Sequence, residues 1–511
     1  ASRTYISDDL LGELSWAIAL VIVAVPVFLV HLALVRRSLQ GPAAAVADER
    51  ACASRSTYFF LVLTGTGVVA ATQLTDLLQS AIGTVAFGER AWSLAAAVAG
   101  SIIVGGAWLA HVWVRRSDLW AAPERTAGDW LTRAYLYGAL FVAAVFACVG
   151  VGNLLTVAAR MLLDLQPAWE RSTWWQEELA GAVATMFVAG VAWLVHWALA
   201  ARLLRAAPPM GEAHRAAHSR LAYFLLFTLS AAAASLVLVS MGLRNVFAEL
   251  AGTWQPTDGS RLIEEIGGPL LLAVPFVAAW WWHLRRASAE ALALGGPEQA
   301  LVVRRMGRLV VATVGLAGLA IGVAWELQAL LDAIASGGSE TLYSSDEADA
   351  LSTSALAAAL VGLVLWAPAW VMSQRERVGD IETVATAASR RAYLFLVVGA
   401  SVVAFMIALA FVIYQATRLL LGTELVDDSS WAPAVLIVSA IVLLYHLWCL
   451  RADMLVARTV EVTPVVEATD GRVVETIEIS GPADADFKVL NAAIRTELPE
   501  GYELRVVSQG Q

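Results

Sequence analysis

Charge is scarce in this chain. Of its 511 residues only 15% are Asp, Glu, Lys or Arg, and 59% are hydrophobic. A soluble domain usually carries about 25% charged residues, so the composition excludes an ordinary soluble enzyme. Lysine is nearly missing: Lys488 is the only one, and arginine supplies the rest of the positive charge. That bias carries no functional implication. Cys52, Cys148 and Cys449 are far apart and form no CxxC, so neither a disulfide framework nor a thiolate metal site is expected. Walker, HExxH and GxSxG motifs are missing too. The glycines near 65–67 and 150–152 lie in apolar stretches, where they permit close helix packing, and do not follow a strand as a dinucleotide loop must. The ten-residue alternating segments of an outer-membrane barrel are also lacking. No enzymatic activity and no nucleic-acid partner are expected.

What the chain has is long apolar runs. Mean hydropathy is +0.68, and runs of about 20 apolar residues are long enough to cross a bilayer as helices. Eleven spans are predicted, near 15–35, 57–79, 92–114, 134–158, 180–201, 221–243, 268–284, 309–333, 353–372, 392–418 and 431–450. Gly65, Gly67, Pro26, Pro275 and Pro368 fall inside them and are tolerable, because neighbouring helices satisfy freed backbone groups.

The connecting segments alternate in charge. One set, with Arg451, holds 22 arginines against 12 acids; the other, including the N-terminal segment, holds 7 against 19. The positive-inside rule puts the first set in the cytoplasm. Residue 1 is then outside and the C-terminus inside. Trp92, Trp174, Trp175, Trp254 and Trp431 fall near outer boundaries, as an aromatic belt does. Glu177, Glu178, Glu264, Glu265, Asp346, Glu347, Asp349, Asp427 and Asp428 make the outer loops acidic, which the same asymmetry explains.

An internal repeat organises these spans. The first helix of each unit opens on a basic residue and an aromatic: RSTYFF from Arg55, RAYLYG from Arg133, RLAYFL from Arg220 and RRAYLF from Arg390. The second helix closes on Trp, His and Arg, with His111, His196, His283 and His446 at one equivalent position. The first span closes likewise, with His31. The fourth unit departs, with Arg308 at the tyrosine place and Ala369 at the histidine place. The hairpins run over about 55–116, 133–205, 220–286, 305–377 and 390–452, after a truncated one at 1–37. Each unit holds two helices, so all share one orientation, unlike the halves of inverted-repeat transporters. The opening ASRTYISDDLLGE reads as the outer loop of a sixth hairpin, and one more helix is expected upstream.

Residues 7–34, SDDLLGELSWAIALVIVAVPVFLVHLAL, place the helix WAIALVIVAVPVFL after an acidic loop. They resemble an uncharacterised family of bacterial membrane domains. The next helix is similar to that family's following helix, with Asp76 and Leu77 at its terminal turn; Gly152, Asn153 and Leu154 repeat the turn one unit later. The resemblance covers about 7–115 and implies a helical fold in the bacterial cytoplasmic membrane, with no activity attached.

Two groups of polar residues are candidate sites. His31, His111, His196, His283 and His446 share one depth near the cytoplasmic ends. Histidine is an axial haem ligand, but the flanking Trp108, Trp193 and Trp280 favour an interfacial anchor. The repeat also sets Asp76, Asn153 and Glu326 at one position, eighteen residues beyond the opening aromatic, about 27 Å along the helix at 1.5 Å per residue. Ionisable residues inside spans suggest function by default. Glu326, with Gln328 beside it, leads this group, and Arg160, Arg244 and Arg418 lie farther along equivalent helices as pairing partners. The bland reading is helix-end residues held in ion pairs between hairpins.

The tail changes character. TVEVTPVVEAT and RVVETIEIS read as strands joined at Thr469-Asp470-Gly471, DADFKVLNAAIRTEL as a helix and YELRVV as a third strand. The predicted fold is therefore an all-α membrane repeat domain over 1–454 with a small cytoplasmic ββαβ domain over 455–511. The leading functional expectation is a structural or accessory subunit in the lipid bilayer, packed against other subunits or a second copy, with no cofactor. An ion or small-solute path near Glu326 and a haem-binding electron carrier are the alternatives.

Overall fold

The computed structural model describes residues 39–88, 94–126, 129–163, 174–253, 262–335, 345–422 and 430–460, with isolated helical positions at 26, 29, 30, 33, 36 and 37. Among these there are helices and turns but no strand. Among the described residues nine helices are long and apolar enough to cross a bilayer. They are α1 (Ala53–Phe87), α2 (Leu94–Ala121), α3 (Trp130–Leu162), α4 (Trp174–Leu204), α5 (Ser219–Leu250), α6 (Gly268–Ala335), α7 (Ser345–Gly379), α8 (Ala388–Leu420) and α9 (Trp431–Val460). Ten of the eleven predicted spans lie in them, two within α6. The remaining one, 15–35 with His31, lies almost entirely outside the described residues.

Between its two spans α6 is broken at a single residue. Gly296 has φ 79° and ψ −171°, a conformation that only glycine adopts without strain. Pro297 follows, lacking an N–H where a helix start needs none. The two halves fold back on each other: Val311 and Val314 of the second pack with Trp280 of the first.

The helices pair as five hairpins: α1/α2, α3/α4, α5 with the first half of α6, the second half of α6 with α7, and α8/α9. The hairpins also pack in one recurring way. The first helix of each lies on the second helix of the next: α1 on α4, α3 on the first half of α6, α5 on α7, and the second half of α6 on α9. The result is a row in chain order. Hairpin 4 is packed closely: a side chain added at Gly315 would meet the Trp366 amide nitrogen at 2.5 Å, and one at Gly322 the Ala355 carbonyl oxygen at 2.5 Å.

The expected tail domain needs correction. α9 continues to Val460, so residues 455–460 prolong a helix where the first strand was expected to begin. The alternation read from Thr459 onward overlaps the last helical turn and does not separate strand from helix end. The α+β class is thus replaced by an all-helical one over the described residues; 461–511 lie outside them.

Candidate functional site

The repeated tyrosine and histidine meet inside hairpins 1, 2, 3 and 5. Tyr58 Oη lies 2.9 Å from His111 Nε2, Tyr135 3.4 Å from His196, Tyr223 2.7 Å from His283, and Tyr393 3.4 Å from His446. The other ring nitrogen of each, Nδ1, is 2.7–2.9 Å from the carbonyl oxygen four residues back, at Ala107, Ala192, Ala279 and Val442. A carbonyl only accepts, so Nδ1 carries the proton and Nε2 accepts from the tyrosine hydroxyl. The tyrosine oxygen in turn accepts from the indole of the preceding hairpin. Trp108 Nε1 donates to Tyr135 at 3.0 Å, Trp193 to Tyr223 at 3.2 Å and Trp366 to Tyr393 at 3.3 Å. The Trp–Tyr–His relay therefore closes hairpins 2, 3 and 5 and ties each to the hairpin before it. Both ring nitrogens of His111, His196, His283 and His446 are engaged in these bonds; His31 lies outside the described residues. Among the described residues no group of three or more His, Cys, Asp or Glu side chains converges as metal ligands do.

A second clasp lies one turn nearer the arginine-rich end. The arginine three residues before the tyrosine pairs with an acid seven residues after the histidine. Arg55 meets Asp118 at 2.7 Å, Arg220 meets Glu290 at 2.5 Å, Arg305 meets Glu376 at 3.0 Å and Arg390 meets Asp453 at 2.6 Å. Arg377 of hairpin 4 also reaches Asp453, at 2.5 Å, so this clasp too crosses between hairpins. Asp453 is fully buried, and Ser373 and Gln374 accept further bonds from Arg390 at 2.8 and 3.2 Å. Sequence reasoning missed these pairs by reading the arginines as topology signals. The signal was present in HVWVRRSD, HLRRASAE and HLWCLRAD, where an acid recurs seven residues beyond the histidine.

The clasps are lost only in pairs. Hairpin 4 has Arg308 for tyrosine and Ala369 for histidine. Arg308 turns instead to Glu376 at 2.5 Å, and the Trp280 indole nitrogen, which by its repeat position would donate to a tyrosine there, is buried without a partner. Hairpin 2 has Thr132 at the arginine place and Leu203 at the acid place. Arg115 of hairpin 1 fills the gap, donating to Thr132 Oγ1 at 2.9 Å and pairing with Asp129.

The other predicted site residues do not come together. Asp76 and Asn153 are exposed on the helix surface. Glu326 is half-buried and accepts from Ser352 Oγ at 3.2 and 3.3 Å. Arg160 is buried and pairs with Glu178 at 3.3 Å and Glu264 at 3.1 Å. Arg244 donates to Asn245 Oδ1 at 3.2 Å, and Arg418 to Tyr414 Oη at 3.1 Å. Gln328 is buried and borders a cavity of about 490 Å³ between the second half of α6, α8 and α9. Thr313, Ile321, Val397, Ser401 and Ser439 also line it, while Glu326 does not.

A single family model matches three stretches, 2–105, 133–275 and 305–445, together well over half the sequence. It is described as a domain of unknown function, DUF5671. The chain belongs to the DUF5671 family. No curated protein and no solved structure matches it. The matched stretches 133–275 and 305–445 each take in one whole hairpin and most of the next, ending before its histidine and acid. Hairpins 1, 3 and 5 carry both the Tyr–His and the Arg–acid clasp. Hairpin 2 keeps only Tyr–His, and hairpin 4 only Arg–acid.

Proposed function

We propose that this protein is a membrane-embedded scaffold, an accessory subunit that packs against other membrane proteins or a second copy of itself. One observation carries the reading. The polar side chains repeated through the helices are used on one another, in clasps that fix hairpin to hairpin, and the half-buried Glu326 is held by Ser352 and does not line the 490 Å³ cavity. Such an interior orders helices; it does not offer a charged path through them. The exposed faces support the same reading. Ile102, Ile103, Leu109 and Trp113 on α2, and Phe395, Val403, Met406 and Ile407 on α8, are large, apolar and mostly uncovered. In water they would be an aggregation hazard; in a bilayer they are surfaces for lipid or a partner helix.

In this reading the helices span the cytoplasmic membrane of a bacterium. The arginine-rich ends face the cytoplasm, residue 1 lies outside and the C-terminus inside. The test is cross-linking in native membranes followed by purification in mild detergent. A second chain, or a second copy, recovered in fixed stoichiometry with cross-links on the outer faces of α2 or α8 supports the proposal. A monodisperse single chain that passes ions or solutes in proteoliposomes, at a rate abolished by Glu326→Gln, overturns it.

A further inference from the structure

The 490 Å³ cavity has a sealed counterpart one domain earlier. Counted from the tyrosine and histidine positions, the lining residues Ala317, Ile321, Val397, Ser401 and Ser439 of the third domain correspond to Ala144, Cys148, Phe227, Ala231 and Phe276 of the second. Those five form a buried cluster between hairpins 2 and 3. Phe227 and Ala231 are 0% exposed, and Phe227 stacks on His283 with ring centroids 4.0 Å apart. Val397 and Ser439 put small side chains where the second domain has two phenylalanines. The same inter-hairpin seam is therefore solid in one domain and hollow in the next. Protein interiors are packed like organic crystals, so space of this size, within the 300–1,000 Å³ range typical of ligand pockets, calls for an occupant.

The lining defines that occupant. No charged side chain borders the space, and its polar members, including Thr313, Gln328, Ser401 and Ser439, are neutral. From Thr313 to Gln328 the seam runs fifteen residues, about 22 Å at 1.5 Å per residue, longer than one leaflet of a hydrocarbon core about 30 Å thick. Gln328, Trp325 and Trp431 gather at the acidic end, and Thr313, Leu396 and Val442 lie deeper. Ile321, Trp325 and Leu396, which line the space on two facing helices, are exposed at 49%, 40% and 58%, so the space is open between those helices rather than sealed. We infer that this seam is a binding site for one hydrocarbon chain of a membrane lipid, which enters from the side, with the lipid's uncharged ester region beside Gln328 and its head group at the Trp431 end. The inference rests on the membrane location proposed above and is independent of the accessory role.

The sister domain supplies the test. Val397→Phe with Ser439→Phe installs the residues that seal the second domain. The full chain is purified in detergent, delipidated by extended washing and examined by native mass spectrometry. Val403→Phe, on the outer face of α8, is the control. The expected result is one lipid retained per chain in the parent and the control, and at least a tenfold loss in the double variant, whose thermal midpoint is unchanged or raised. Equal retention in all three, or none in a folded parent, overturns the site. Photo-cross-linking of the unaltered chain with a phospholipid carrying a diazirine near its acyl terminus is read separately, in case the double variant does not fold. Adducts within 313–328, 396–404 and 435–442 support the proposal, and adducts only elsewhere overturn it. Partner recovery plays no part in either readout, so failure here leaves the accessory reading standing, and the reverse holds.

Discussion

The Trp280 indole nitrogen is buried without a partner because its repeat position faces Arg308, where the other relays have a tyrosine. Tyr135, Tyr223 and Tyr393 accept from the corresponding indoles. The orphaned donor marks a clasp that is absent from hairpin 4, and it gives that absence a measurable consequence.

Restoring the clasp should stabilise the protein, provided both partners return. In the double variant Arg308→Tyr with Ala369→His, the new tyrosine has an imidazole to donate to and the Trp280 indole to accept from. A net hydrogen bond contributes about 0.5–1.5 kcal/mol, and partners in one network couple by about 0.5–3 kcal/mol. A double-mutant cycle on thermal unfolding in detergent should show favourable coupling of that order. Additive single effects would show that the two places do not meet.

Removing the buried carboxylate of hairpin 5 should be costly. Asp453→Ala leaves Arg390 and Arg377 facing each other without an anion, and breaking a buried pair costs roughly 3–5 kcal/mol. Glu376→Ala should cost less, because the Glu376 side chain is 28% exposed and water screens the arginines left behind. The order of the two thermal midpoints checks the claim.

Hairpin 2 should respond in the opposite sense to hairpin 4. Thr132→Arg restores the arginine of the repeat, yet the guanidinium of Arg115 already occupies that place. Two like charges would then be crowded together, so the substitution should destabilise, even when paired with Leu203→Glu. A rise in thermal midpoint for that pair would show that Arg115 is not the stand-in described here.

Tyr223→Phe deletes one oxygen that serves both Trp193 and His283. Leaving a buried donor and acceptor unmade costs about 1–3 kcal/mol. Tyr58→Phe should cost less, since Tyr58 is only half-buried. Comparing the two by thermal unfolding tests whether burial sets the strength of the relay.

Much of this fold was legible in the sequence for a physical reason. A bilayer-length apolar run is a composition signal, and the aromatic opening and Trp–His close recur at fixed helical positions, so the hairpins and the departure at Arg308 and Ala369 could be read directly. The Arg390–Asp453 type of pair was equally visible in spacing, but arginine near a helix end has a competing explanation in topology. Asp76, Asn153 and Glu326 share a repeat position without sharing surroundings, because equivalent places in a row of hairpins face different neighbours. The cavity was not legible at all. It depends on Val397 and Ser439 being smaller than Phe227 and Phe276, a comparison with meaning only once those four are known to line the same seam. The tail was misread at its junction, where two β-branched residues end a helix as readily as they start a strand.

The paired losses also carry history. Truncating one member of a buried hydrogen bond or ion pair is costly, whereas replacing both by matched groups can be nearly neutral. Copies of an ancestral hairpin therefore diverge by couples. Once one partner of a clasp changed, little selection remained to hold the other. Thr132 with Leu203, and Arg308 with Ala369, read as two such completed events, in different duplicates and in different clasps. Hairpins 1, 3 and 5 have kept both couples intact.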